Sequence, residues 1–183
     1  MANAGFVIER NITGTDVLAY NRYCVAEIDV DGGNLVALTA PTTQDSNVFS
    51  AEAPTSDGQG NLWVAYNPTF RYTEVGEGEY AGISNDIRDF TNRAGKTFTA
   101  FKPVADVDTF FISAECVDEA SRASVAAGSV LQAKSGQTQW TLVSDKTDGA
   151  TAVSVMCKAV LPFPAKKGSL GMTSQAGFEV MAI

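Results

Sequence analysis

Apolar and polar residues alternate with a period of two along most of this chain, and the runs are broken at short intervals by Gly, Asn, Asp and Pro. That pattern commits it to strands joined by turns. Tyr23-Cys24-Val25-Ala26-Glu27-Ile28-Asp29-Val30 alternates, meets Asp31-Gly32-Gly33-Asn34, and resumes as Leu35-Val36-Ala37-Leu38-Thr39. Glycine supplies the positive φ of a tight turn, so a hairpin is expected here. A second hairpin is expected where Val130-Leu131-Gln132-Ala133-Lys134 and Thr138-Gln139-Trp140-Thr141-Leu142-Val143 flank Ser135-Gly136-Gln137, with Trp140 packed inward. Further strands are expected over residues 47–53, 62–66, 98–101, 108–116, 151–161 and 178–183.

Helix signals are few. Residues 118–127, with an acidic start and Gly128 behind, predict one short helix, and residues 86–92 suggest a turn. Many short strands and few helices imply a mainly β fold, a β-barrel or sandwich-like domain with at most one or two short helices and an N-terminal extension. Residues 1–22 form an N-terminal arm or a first strand, and residues 23–183 a β-rich domain that Pro103 could subdivide. No fixed-length repeat or low-complexity linker is visible. A chain of 183 residues suits one core, able to bury roughly two thirds of its unfolded surface.

The charge narrows the partners. Net charge is −8, and residues 1–100 hold 13 acids against 6 bases while residues 101–183 hold 8 against 7. Neutralising a nucleic-acid backbone needs clustered bases, and Lys166-Lys167 is the one adjacent basic pair, so nucleic acid is not an expected partner. Asp106 and Asp108 interrupt the apolar stretch 104–114, far short of the ~20 residues of a membrane helix. The first residues lack the basic start and apolar core of a secretory signal, so synthesis in a cytoplasm and no membrane partner are expected.

Histidine is absent, which removes the usual base near neutral pH, the Ser-His and Cys-His nucleophile pairs and the commonest zinc ligand. Carboxylate pairs such as Glu77 with Glu79, or Asp106 with Asp108 on one strand face, are available for glycoside chemistry, but nothing marks a cleft around them. Asp29-Val30-Asp31-Gly32-Gly33-Asn34 and Asp145-Lys146-Thr147-Asp148-Gly149 place oxygens near glycines, yet neither supplies a calcium-loop ligand set. Gly76-Glu77-Gly78-Glu79-Tyr80 has acids that would repel a phosphate. Cys24, Cys116 and Cys157 lack a CxxC spacing or an activating base and read as buried free thiols. Trp63, Tyr66, Phe70, Tyr72 and Tyr80 could stack on sugars, or simply pack. These readings point to a protein with no enzymatic activity, no cofactor and no metal.

The opening Met1-Ala2-Asn3-Ala4-Gly5-Phe6-Val7-Ile8-Glu9-Arg10, with Tyr20-Asn21-Arg22-Tyr23, resembles small phage coat proteins. So do Leu62-Trp63-Val64-Ala65-Tyr66-Asn67-Pro68, Asp89-Phe90-Thr91-Asn92-Arg93-Ala94-Gly95-Lys96 and Phe98-Thr99-Ala100-Phe101-Lys102-Pro103, which are similar to head-gene-cluster proteins of phages of anaerobic and gut bacteria. The resemblance, to bacteriophage capsid decoration (head auxiliary or cement) proteins, covers residues 1–105. It implies a virion structural protein, made in the host cytoplasm, that binds the outside of a head and stabilises the shell. The chain is also short for a major shell subunit. The partners it implies are the major capsid protein and further copies of the chain, a homotrimer being the natural closed ring. Phe6, Val7 and Ile8 are the expected capsid contacts, through strand addition or as the first core strand. The alternative is a head-fibre, tail or host-surface glycan-binding module.

Overall fold

The computed structural model describes residues 4–11, 21–41, 47–66, 88, 90–164 and 172–183. Among them the fold is mainly β, built from a closed five-stranded barrel and a six-stranded sheet. The barrel runs β2 (Asn21–Ala26), β5 (Val48–Glu52), β4 (Leu35–Thr39), β6 (Trp63–Ala65), β8 (Thr97–Phe101), and β8 closes it on β2. Its one parallel pair is β2 with β5, with Cys24 opposite Phe49. The sheet runs β1 (Val7–Asn11), β9 (Thr109–Ser113), β13 (Met172–Ala182), β12 (Ala152–Pro164), β10 (Val130–Ala133), β11 (Trp140–Val143), antiparallel throughout. Two short strands, β3 (Val30–Asp31) and β7 (Thr91–Asn92), pair separately.

Period-two alternation explains why these layers hold together. One set of barrel residues, Cys24, Ala26, Val36, Ala51, Trp63, Ala65, Phe98 and Ala100, fills the interior. Small side chains dominate because few strands enclose little volume. Arg22 lies over the Phe49 and Trp63 rings, 5.4 and 5.6 Å from their centroids. The alternate residues Leu35, Val64 and Phe101 point outward and meet Phe110, Ile112, Leu131, Trp140, Val153, Phe178 and Val180 from one face of the sheet. Barrel and sheet therefore share a core, where each large side chain contributes about 1.5–3 kcal/mol by burial.

Trp140 joins the two layers. It is fully buried in the second hairpin, where Ala133 opposes it, and its Nε1–H donates to Gly33 O at 2.8 Å. Gly33 is needed there: its φ is 84°, and a Cβ would lie 2.6 Å from Cys116 Sγ. Trp140→Phe removes that donor and leaves a void, so a loss of about 2 kcal/mol is expected. Urea titration checks this: the midpoint should fall with an unchanged slope, and an unmoved midpoint would remove the indole's bridging role.

The hairpin expected across residues 23–39 does not form. A turn exists at Asp31–Asn34, where Asn34 N–H reaches Asp31 O at 3.3 Å, but β5 lies between β2 and β4. The backbone groups that a hairpin would pair go elsewhere, Gly33 N–H to Ala65 O and Leu35 N–H to Thr138 O. The expected helix over 118–127 is one turn, α1 (Glu119–Arg122), capped by Asp118, whose carboxylate accepts the Ser121 N–H at 3.0 Å. It stops because Val125 is drawn into the core and the segment has no apolar stripe to bury as a helix. The strand expected over 108–116 ends at Ser113 and passes into a 3-10 turn, Ala114–Cys116. The last two strands are longer than expected, reaching Pro164 and starting at Met172.

Candidate interaction surface

The N-terminal residues named as contacts form the outer strand of the sheet. Val7 faces Ile112 and Ile8 faces Phe111 across β9. Phe6 and Val7 are buried within their own chain, and Ile8 is half-buried. Phe6 is held at both ends of its peptide: its N–H donates to Ser113 Oγ (3.1 Å) and its carbonyl accepts the Ser113 N–H (3.0 Å). Cys116 Sγ, also buried, donates to Phe6 O (3.5 Å) and Gly32 O (3.3 Å), and Gly5 N–H donates to Asp31 Oδ2 (3.0 Å). Burial pushes the Cys116 thiol up to about 12.

Past Ser113, beside Phe6, the sheet continues as a two-stranded ribbon. β12 pairs with β10 at residues 152–154, and the bonds of Val155 with Ser129 and Gly128 continue that edge. A bulge at Met156 follows, and from Cys157 to Pro164 β12 pairs, among the described residues, with β13 on one side alone. Across the ribbon Val160 opposes Ala176, Pro162 opposes Ser174 and Pro164 opposes Met172. Strand alternation puts Lys158, Val160 and Pro162 on one face with Met172, Ser174 and Ala176, and all six are exposed. Val160 is 63% and Met172 66% exposed. The same face carries Phe178 and Val180 nearer the root, where it packs on the barrel. The ribbon thus extends a core face past the core.

The other ribbon face is turned to the body. Phe163 lies edge-on to Phe6 with centroids 5.4 Å apart, and the buried Arg88 guanidinium sits 4.9 Å above the Phe163 ring. Arg88 also donates to Thr173 Oγ1 at 2.6 Å, and its carbonyl accepts the Ala4 N–H at 2.8 Å. Gln175 Nε2 reaches both Glu115 carboxylate oxygens, at 2.9 and 2.8 Å. These contacts fix the ribbon's orientation and leave its outer face uncovered among the described residues.

The edge itself is guarded. Proline cannot donate to a ladder and is tolerated in strands where its nitrogen faces away from the neighbour. Pro162 and Pro164 therefore turn their peptide nitrogens to the open side, and by alternation so do Lys158 and Val160. A strand adding there would find donors at two positions only, beside a lysine, which is how natural edges resist zipping onto one another.

The acids do not gather. Asp106 and Asp108 lie in a turn and not on a strand face: Asp106 is exposed with φ 61°, whereas Asp108 is buried and its Oδ2 accepts the Val104 N–H at 2.8 Å. The Asp108 carboxylate is used to close that turn. Asp29 accepts from Ala94 N–H (2.9 Å) and Arg93 (2.7 Å), which hold its carboxyl below the ordinary range. Asp31 is turned instead to Gly5, and Asp145 and Asp148 are exposed. Among the described residues no three His, Cys, Asp or Glu side chains converge. Glu77, Glu79, Phe70, Tyr72 and Tyr80 fall outside the described residues. Trp63 lines the barrel, and Tyr66 is half-buried edge-on to Phe101.

Of the cysteines, Cys24 and Cys116 are buried, but Cys157 is exposed. The bulge at Met156 shifts the alternation and carries Cys157 off the core face that Val155 occupies. Reading strands from alternation alone missed the ribbon, because the bulge breaks the period and two prolines sit in β12. The signal was present: residues 149–178 carry three lysines and no acid, and two apolar runs flank Gly168 and Gly171. No protein-family model, curated protein or solved structure matches this chain.

Proposed function

We propose that this chain is a virion structural protein that binds the outside of a bacteriophage head and stabilises its shell. The observation that carries the reading is the outer face of the β12–β13 ribbon, which exposes Val160 and Met172 and is uncovered among the described residues, since exposed apolar side chains that continue a core mark surfaces for another protein. The phage-coat phrases of residues 1–105 supply the kind of partner. Work of this sort is done by occupancy: burial contributes about 25 cal/mol per Å², and repeated sites on a shell multiply a modest contact. The N-terminal strand's share of the contact passes through Ile8, because Phe6 and Val7 are buried inside the chain.

Mass spectrometry of purified particles from the phage that encodes the chain tests this. The protein should be present in many copies per head, and heads stripped of it should rupture at lower temperature or ionic stress. Ile8→Glu should reduce rebinding to stripped heads while leaving the unfolding midpoint near that of the native chain. Absence from purified particles defeats the proposal.

A further inference from the structure

We propose that Asp148-Gly149 is a site of spontaneous backbone rearrangement, in which the main chain transfers from the α-carbonyl to the side-chain carbonyl of Asp148 and leaves an isoaspartyl linkage. The reaction needs this chain and water alone, so it goes beyond the head-binding reading and stands apart from it.

Three Asp-Gly dipeptides occur, at 31–32, 57–58 and 148–149. Glycine after aspartate is the sequence requirement, since a following residue without a Cβ lets the aspartyl Cγ approach the peptide nitrogen. The fold then treats the three differently. Asp31 stands in β3, its Oδ2 accepts the Gly5 N–H at 3.0 Å, and Gly32 is buried. Asp57 Oδ1 accepts the Ser135 N–H at 2.8 Å, while the buried Gly58 donates its own N–H to Ala133 O at 2.9 Å. Both carboxylates are tied down, and at 57–58 the nitrogen is as well. The third dipeptide has neither tie. Residues 144–149 are all exposed, and among the described residues neither the Asp148 carboxylate nor the Gly149 N–H has a hydrogen-bond partner. A Cβ on Gly149 would meet nothing within 4 Å, so that side of the glycine is open.

The step balances without a co-reactant. Gly149 N attacks Asp148 Cγ and forms a C–N bond, the carboxyl C–O bond breaks, and the amide hydrogen and the carboxyl hydroxyl leave as water. The product is a five-membered succinimide ring. Water then adds to one of its two carbonyls. Opening between the nitrogen and Cγ restores the original chain, whereas opening between the nitrogen and the former main-chain carbonyl leaves Gly149 joined through Cγ. The backbone gains one methylene.

That methylene falls between two anchors. On one side the Thr147 N–H donates to Gln132 Oε1 and Gln132 Nε2 donates to Thr147 Oγ1, both at 3.0 Å. On the other, the Thr151 N–H donates to Gln59 O at 3.2 Å, and Thr151 Oγ1 accepts the Leu62 N–H at 2.9 Å. Between them the Ala150 N–H closes the turn on Thr147 O at 3.1 Å. A longer backbone inside that closure opens this bond first.

Ageing the folded, purified chain at physiological temperature in heavy-oxygen water tests the site. Peptide mapping should find label and isoaspartate at residue 148 at about ten times the level at 31 or 57, because tied sites react only through local opening. In urea the three sites should react alike. Asp148→Glu keeps the charge and should abolish the signal, since its larger ring forms far more slowly, while the unfolding midpoint stays that of the native chain. In aged native chain, amide exchange should rise at Ala150 before it rises at Leu62. Equal labelling of the three sites in the folded chain, or none at 148, overturns the proposal. An excess at 148 that persists in urea would come from neighbouring residues and not from the fold, and overturns it too.

Discussion

Gly177→Ala should lower the thermal unfolding midpoint by roughly 6–12 °C, from about 3 kcal/mol lost at about 2–4 °C per kcal/mol for a chain of this size. Gly177 lies on β13 opposite Ser113 of β9. A Cβ there would lie 2.2 Å from Phe111 Cζ, 2.7 Å from its Cε2 and 2.3 Å from the Ile112 carbonyl oxygen. The ring can tilt, but the carbonyl belongs to the neighbouring strand and cannot withdraw without opening the ladder. Replacing glycine restricts the unfolded chain and recovers about 0.5–1 kcal/mol, which is too little to offset the clash. Phe111 also contacts Phe6, with centroids 5.8 Å apart, so the loss should spread to β1. Amide exchange should then show Val7 and Ile8 losing protection before the barrel strands do. Adding Phe111→Leu to Gly177→Ala should recover only the part due to the ring. A midpoint within about 2 °C of the native chain would mean that β9 and β13 are not packed this closely.

How much of this was legible in the residues depends on what sets each feature. The second hairpin was readable in outline, because Gly136 marks the turn between two alternating runs and Trp140 faces the core, but its strands end at Ala133 and begin at Trp140, so Ala133 meets Trp140 and not Gln139 as a loop of 135–137 would require. The first hairpin misled because a turn dictates a reversal but not the neighbour. Asp31–Asn34 does turn, yet β5 inserts between the two runs, and a parallel pairing such as Cys24 with Phe49 leaves no local trace. The barrel was legible only as a class, since closure depends on β8 meeting β2 across some 75 residues, as Cys24 meets Phe98. At the candidate surface, Phe6 and Val7 were visible as an apolar cluster, but burial and exposure of such a cluster look alike in sequence. The ribbon was obscured for a different reason. Val160 and Val155 are both apolar β-branched residues of one strand, and only the intervening bulge and the end of the barrel decide that one is covered and the other is not.

Raising the pH from 9 to 12 should destabilise the fold steeply, through two thiols that cannot ionise where they sit. Burial pushes Cys116 up to about 12 from an ordinary 9.0, and the Asp31 and Glu115 charges act in the same direction, against the hydrogen bond with the Ser113 hydroxyl. Cys24, inside the barrel between the Arg22 and Phe98 carbonyls, is pushed up to about 12 by burial alone. Below pH 9 folded and unfolded chains both hold these protons, and the thiols' contribution is fully present. Above it the unfolded chain sheds them while the folded chain keeps them, so stability falls with rising pH until the folded thiols ionise as well. Three pH units correspond to about 4 kcal/mol for each group, and half of that should already be gone near pH 10.5. Cys116→Ala should lower stability at pH 7 through a small cavity and flatten the alkaline decline, because the titrating group is gone. Urea midpoints of the native chain, Cys116→Ala and Cys24→Ala at pH 7, 9 and 10.5 separate these contributions. Thiol labelling adds an independent reading: at pH 8 the exposed Cys157 should react at once, whereas Cys24 and Cys116 should wait for unfolding. Parallel decline in all three chains, or fast labelling of Cys116 in the folded state, would show that the N-terminal strand does not seal that thiol, and the core assigned to Phe6 and Val7 would have to be redrawn.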